Sequence, residues 1–529
     1  MKQSNTYVAL NDWKNFKRRG IVEGIAAGIL AGLLTVQYRY LLEKAELLRQ
    51  QIYILIGKNG FITGLLWFAV LIIIGYALGI IAKKEPMVSG SGIPQVKGIL
   101  SGRMRMNWIS VILYKFVGGV LALGAGLSLG REGPSVQIGS AVGQGISRIM
   151  KRSKVEEKYL ITCGASAGLA AAFNAPLAGV IFALEELHKN FSPVVLVPTM
   201  ISSLVSAFLS QRFFGQKPIF NITGITILSH RYYLYIIILG IITGLFGLLF
   251  NSMLLKTQEL FKKSITKQEL KPVIPLLLAG VLGFYLPQVL GGGSPLIDSM
   301  VNGDITLRLV IALFVAKFLF TMVSYGSGVP GGIFLPLLVL GALTGNFFGM
   351  VLTNLIDLDP IYIKNFIILA MAGFFSAIVK APITGSILIT EMTGNFNHLL
   401  SISLISLTSY LVTEIFNGEP IYDSLLERAL SRRKKDKAVS ILAKEKIILE
   451  VPIAVGSYLD GKKIKNVKWD SGCLIVGIMR GGEEIIPKGE TTILPGDYLV
   501  ALADECEAPA LREKLINMAK NLDETGTSL

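Results

Sequence analysis

The stretch Gly130-Arg131-Glu132-Gly133-Pro134 decides how this chain is read, because it sets a carboxylate at the mouth of a helix within an apolar sequence. Pro134 suits the first turn of a helix, where its missing N–H would go unpaired in any case. The run from Ser135 to Val142 continues that helix, so its free N–H groups and the positive end of its dipole face back toward Glu132. An anion is favoured at such a place. A site that attracts anions while carrying its own carboxylate implies competition between the two. In a soluble protein the same five residues would read as a surface turn whose glutamate complements a helix dipole. The rest of the chain decides against that.

Of 529 residues, 52% are hydrophobic and 16% charged, against about 25% charged in soluble proteins. This composition defines an α-helical polytopic membrane protein. The formal net charge of +15 raises nucleic acid as a partner. The basic residues, however, collect at segment ends rather than interleaving with aromatics, and Lys/Arg-rich cytoplasmic loops account for them, so no nucleic acid is expected. Cys163, Cys473 and Cys506 stand far apart, and three histidines, His188, His230 and His398, give zinc little to bind. No nucleophile–base pair suggests an enzyme, and neither a metal nor an organic cofactor is expected. The first twenty residues are polar, end in Lys17-Arg18-Arg19 and show no cleavable leader pattern, which places the N-terminus in the cytoplasm.

Residues 21–52 and 61–82 read as two long membrane helices. Ser89-Gly90-Ser91-Gly92-Ile93-Pro94-Gln95 follows as a glycine-rich turn opening a short helix. Such irregular backbone is tolerated at membrane depth only where protein or a polar cavity surrounds it. The apolar segment Trp108 to Gly126 contains Lys115, which needs a partner if buried and is expected to lie close to Glu132. Leu160 to His188 reads as broken helices interrupted at Asn174-Ala175-Pro176. Further helices are expected near 193–213, 232–254, 272–290 and 307–325, with a loop at 214–230. Gly328 to Pro336 is another glycine-rich turn opening a helix.

The halves resemble each other. Pro134, Gly139 and Gly143 recur as Pro336, Gly341 and Gly345. Ala167-Gly168, Ala175-Pro176, Gly179 and Glu185 recur, with one inserted residue, as Ala372-Gly373, Ala381-Pro382, Gly385 and Glu391. An internal repeat with interrupted helices at corresponding positions points to a binding site at the repeat interface, near mid-membrane.

With these stretches in hand, the chain resembles the CLC family of chloride channels and chloride/proton antiporters over roughly residues 20–435. Gly90-Ser91-Gly92-Ile93-Pro94, Gly130-Arg131-Glu132-Gly133-Pro134 and Gly332-Ile333-Phe334-Leu335-Pro336, followed by Tyr422, carry the resemblance in order. It implies a fold of inverted repeats, a homodimer with one anion pathway per subunit, and chloride held by Ser91, Tyr422 and the amides near Ile333 and Phe334. Such a set of neutral donors can hold chloride and still release it. By the same resemblance Glu132 is the gate that competes with chloride when ionised and swings aside when protonated. Glu186 is the residue that relays protons from the cytoplasmic side. Both glutamates favour an antiporter of a bacterial inner membrane; the alternative is a passive voltage- or pH-gated chloride channel. Ser91 favours chloride over nitrate or fluoride. Gln95 stands where many relatives have glutamate.

Beyond Ser431-Arg432-Arg433-Lys434-Lys435-Asp436-Lys437, a basic exit on the cytoplasmic face, the pattern changes. Ile447–Val451, Cys473–Met479 and Tyr498–Ala503 read as strands, with turns at Gly481-Gly482 and Pro495-Gly496-Asp497, and Leu511 to Lys520 as a closing helix. This small β-rich α+β module resembles the C-terminal subdomain of RCK (TrkA-type) regulators. That resemblance implies dimerisation and a small ligand, such as cyclic di-AMP or another nucleotide, with Lys462, Lys463, Lys465 and Arg480 as phosphate contacts. The expected divisions are 1–20 as a cytoplasmic segment, 21–436 as the membrane domain (repeats about 21–213 and 231–420), 437–445 as a linker, 446–521 as the regulatory module and 522–529 as a tail.

Overall fold

The computed structural model describes residues 5–520 apart from 190, 192, 221, 223–224, 265, 304, 438–445, 471, 481–482 and 505–507. The expected linker from 438 onward, the Gly481-Gly482 turn and the tail at 522–529 therefore lie outside the described residues. The chain divides into two compact units, Met1–Leu430 and Ser431–Leu529.

The first unit opens with α1 (Asn5–Asn59), α2 (Phe61–Lys84), α3 (Ile93–Leu100), α4 (Trp108–Gly124), α5 (Glu132–Ile149), α6 (Lys154–Phe173), α7 (Pro176–Phe182) and α8 (Pro193–Phe214). α7 runs on into a π-helical turn, Ala183–His188. The second half comprises α9 (Tyr233–Lys263), α10 (Val273–Tyr285), α11 (Ser294–Asn302), α12 (Leu307–Gly326), α13 (Phe334–Ile356), α14 (Ile363–Val379), α15 (Pro382–Thr393) and α16 (Leu399–Ile415), and α17 (Ile421–Lys437) follows. Seven helices among the described residues are long and apolar enough to cross a bilayer. Leu65, Ile73 and other large apolar side chains of α2 face outward, whereas α13 and α14 are largely buried.

Three expectations need correction. α1 is one continuous helix from Asn5 rather than a helix beginning at residue 21. The segment at 272–290 ends its helix at Tyr285, because Pro287 pushes Leu286 out of the helical region, to φ −141° and ψ 62°. The short helix α11 after Gly291-Gly292-Gly293 was not expected at all.

The repeat seen in the sequence has a physical cause. A Cβ on Gly139 would strike the Gly164 carbonyl, and one on Gly143 the Leu160 carbonyl, so α5 and α6 pack backbone to backbone. Gly341 and Gly345 meet Ala370 and Phe366 of α14 in the same way. Small residues permit this approach where helices have no hydrophobic drive to associate in lipid. The matched glutamates are also reciprocal. Glu185 accepts from the Ile383 and Thr384 amides at the start of α15 (3.3 and 2.7 Å), and Glu391 accepts from the Leu177 and Ala178 amides at the start of α7 (3.1 and 2.7 Å). Each carboxylate thus caps the first turn of the other repeat's helix, satisfying N–H groups that have no intrahelical partner.

The second unit holds a four-stranded antiparallel sheet in the order β1-β4-β2-β3, with β1 (Lys446–Pro452), β2 (Cys473–Arg480), β3 (Glu483–Ile485) and β4 (Tyr498–Asp504). α18 (Ala508–Ala519) closes one face through Leu511 and Leu515 against Leu449, Leu499 and Ala501. The three long strands and the helix stand where the alternation placed them; the three-residue β3 was too short to read.

Candidate anion pathway and proton-coupling residues

The irregular stretches that precede α3, α5 and α13 are tied to one another by backbone hydrogen bonds. The Gly90 amide donates to the Val329 carbonyl and Gly331 donates back to Gly90, both at 3.0 Å. Gly130 and Gly332 exchange a pair at 2.7 and 2.8 Å. These bonds bring the N-termini of α3, α5 and α13 together. The first amides of each helix remain without intrahelical acceptors, and their dipoles favour an anion at the meeting point. Ser91 lies against Gly133, where a side chain would collide with its carbonyl and hydroxyl. Gly92 likewise leaves room for the Gln137 side chain, whose amide donates to the Met87 carbonyl at 2.7 Å.

Glu132 is wholly buried at this junction. Its carboxylate folds back toward Gly130, near the Leu335 amide at the start of α13, yet neither oxygen makes a well-formed hydrogen bond. Ile333 and Phe334 are buried beside it, and the Phe334 ring packs among Phe173, Phe182 and Phe375, with centroids 5.2, 6.1 and 4.7 Å away. Tyr422, in the first turn of α17, and Ser91 are buried neighbours whose hydroxyls lack well-formed partners. All four structural elements singled out from the sequence therefore converge. Ile93 and Pro94 begin α3, Pro134 lies in the first turn of α5, and Pro336 in that of α13.

Arg131 points the other way, 3.6 Å from Glu43, which also pairs with Arg39 at 3.0 Å. Arg131 and Glu43, with Glu46, Gly293 and Leu335, line a small cleft.

Lys115 does not pair with Glu132. Its ammonium donates to the Val88 and Gly90 carbonyls at 2.9 and 2.7 Å, bracing the turn before α3. Lys317 in α12 does the same for Val289 and Gly291, at 2.9 and 2.8 Å. Gly291 to Pro295 is thus the second repeat's counterpart of Gly90 to Pro94, a correspondence that sequence reasoning missed because only the glycines and the proline are shared. Gln95 donates to the Ser89 carbonyl at 2.8 Å, a bond that an ionised glutamate could not make. Tyr325, also overlooked, is buried with its hydroxyl 3.5 Å from the Ser91 amide.

Glu186 lies in the π-helical turn and is buried, not a helix-end carboxylate in water. Lys97 of α3 donates to it at 2.7 Å. Sequence reasoning missed this lysine, whose partner is 89 residues away.

In the second unit the basic side chains expected to meet a ligand are engaged internally. Arg480 clasps Asp497 through two bonds of 2.8 Å, Lys463 and Lys465 both pair with Glu490, and the Lys462 ammonium sits 3.1 Å over the Tyr458 ring.

A helical domain of broken, repeated helices that aims three N-termini and two hydroxyls at one buried point is the architecture of an anion transport protein. Comparison with known proteins agrees: residues 74–414 match the voltage gated chloride channel family, and residues 448–515 match the TrkA-C domain. The chain belongs to the voltage gated chloride channel, or CLC, family. It is 34% identical over 421 residues to the H(+)/Cl(-) exchange transporter ClcA of Salmonella agona (strain SL483), covering 78% of this chain and 89% of that protein. Its fold is similar to that of a slow cyanobacterial Cl-/H+ antiporter, with a TM-score of 0.74 and 29% identity over 79% of this chain and 99% of that one. A CLC-type fluoride/proton antiporter shares the fold, with a TM-score of 0.66 and 22% identity over 77% and 97% of the two chains.

Proposed function

We propose that the protein exchanges chloride for protons across a bacterial plasma membrane, as a homodimer with an anion pathway in each subunit and both termini in the cytoplasm. The observation that carries this reading is the buried Glu132 carboxylate, without a well-formed partner, at the joint N-termini of α5 and α13. Helix N-termini favour an anion there, and the carboxylate occupies the place. A proton on Glu132 removes the charge that competes with chloride, so proton and anion movement become linked. Ser91 and Tyr422 supply hydroxyl donors on one side of this point, and Glu186 supplies a second buried carboxylate for protons. The names of the antiporters that resemble the chain support exchange over a passive channel.

The test uses liposomes containing the purified protein, with a chloride gradient as the only driving force. Proton flux against its own gradient is the expected result, lost in Glu186→Gln. Chloride flux without proton movement in the unaltered protein would make it a channel.

For the TrkA-C module the reading is a small ligand, cyclic di-AMP or another nucleotide, that biases transport. The internal pairing of Lys463, Lys465 and Arg480 means that phosphates would have to displace Glu490 or Asp497. The row Ile448–Leu502–Leu474 across three paired strands, exposed at Ile448 and Leu474 and half-buried at Leu502, favours the other role, reinforcement of a dimer. Cyclic di-AMP titrated into the full-length protein, followed by calorimetry, separates the two: saturable heat supports sensing, and its absence leaves the dimer role.

A further inference from the structure

Glu186 stands at the inner end of a row of alternating charges drawn from three elements. Lys97 of α3 donates to Glu186 at 2.7 Å and also pairs with Asp423 of α17, which in turn holds Lys189 at 3.0 Å. Exposure rises along the row, from 5% for the Lys97 and Glu186 side chains to 32% for Asp423 and 57% for Lys189. The row therefore links a buried carboxylate to solvent. The other polar groups at this turn, among the described residues, include His188, hydrogen-bonded to Thr162 of α6 at 3.2 Å and packed on the Tyr159 ring, Lys158 of α6, the Tyr422 hydroxyl of α17, and Glu185, which is engaged with the Ile383 and Thr384 amides. α7 presents only apolar residues.

We propose that Lys97 is a positioning residue for proton loading, which stabilises Glu186 as a carboxylate until a proton arrives and is then held by Asp423, its other partner, alone. The inference rests on the antiporter reading above. In the step itself, a proton from water adds to a Glu186 oxygen and yields a neutral carboxylic acid, while Lys97 keeps its own three protons. Asp423 makes this tolerable, because a buried ammonium left without a carboxylate is strongly disfavoured. Lys97 and Asp423 therefore act with opposite sign: the lysine opposes protonation of Glu186 and the aspartate assists it. The release of Glu186 from Lys97 also reaches the anion pathway, since α3 starts at Ile93, two residues from Ser91, and Asp423 adjoins Tyr422.

The test is chloride-driven proton flux in proteoliposomes of the full-length protein at a series of symmetric pH values, read as the pH at which flux falls by half on the alkaline side. Lys97→Met moves that pH upward by about one unit or more, the scale of losing an opposite charge at contact distance. Asp423→Asn moves it downward, and Lys97→Arg stays near the unaltered protein. Asp423 is partly exposed, so its variant provides an independent arm should Lys97→Met fail to fold. Coupled flux with both midpoints unmoved, or moved in the same direction, overturns the inference alone. An unaltered protein that moves no protons overturns the antiporter reading, and this one with it.

Discussion

Glu132 is one carboxylate given three neighbours that want an anion and none that fully bonds it. On the proposed reading that imbalance sets its behaviour: ionised, it fills the site; protonated, it has little to hold it there. Replacing it with Gln removes the competitor permanently. Glu132→Gln is therefore expected to pass chloride with a pH dependence far weaker than that of the unaltered protein, measured as chloride efflux from liposomes. The helix start beside this residue could be read from Gly130 to Pro134 because Pro134 announces it, whereas a gating role is what the family resemblance implies. Lys115 could not be placed in the same way. Sequence shows a cation in an apolar segment and the need for a partner if it is buried, but two carbonyls serve as well as one carboxylate, and only the structure shows which. The Lys97–Glu186 pair was hidden for another reason: its members sit on separate short elements, and helical spacing carries no information between them.

At the scale of elements, close backbone contact and crossed caps hold the repeats together. Gly143→Leu would drive a side chain into the Leu160 carbonyl, and the expected result is a thermal midpoint lowered by several degrees in detergent, with aggregation on gel filtration. Gly57→Ala is the matched control: nothing lies within 4 Å of the added methyl, so it is neutral or stabilises α1 by up to about 1 kcal/mol. Removing a crossed cap, as in Glu391→Ala, leaves the Leu177 and Ala178 amides without their acceptor and costs about 1–2 kcal/mol. The glycine spacing and the matched glutamates were visible as a repeat. Their geometry was not, because a cap across repeats joins residues some 200 positions apart. α11 escaped notice since Gly291-Gly292-Gly293 lacks the serine and isoleucine that mark the first repeat's turn.

At the scale of the whole molecule, a transport unit and a small β-sheet unit share one chain. The β-sheet unit has its own core and its own acid sensitivity. Two Arg480 bonds and the Leu494 amide hold the Asp497 carboxyl below the usual carboxylate range. A depressed native value contributes stability above the unfolded value, about 3.9, and this is lost as pH falls through the native one. Asp497→Asn should destabilise the module by about 1–3 kcal/mol near neutral pH and flatten its unfolding profile below pH of about 4, as followed by tryptophan fluorescence of Trp469. The strands of this unit were legible from alternation, whereas the internal pairing of its basic residues was not, since charge counts do not reveal partners. The transport unit stands or falls on coupling, and the most direct measurement follows proton and chloride fluxes together in liposomes holding Glu132→Gln beside the unaltered protein. The account predicts proton pumping by the chloride gradient in the unaltered protein, and in the variant chloride flux that persists while proton flux vanishes. Proton pumping that survives Glu132→Gln would contradict it.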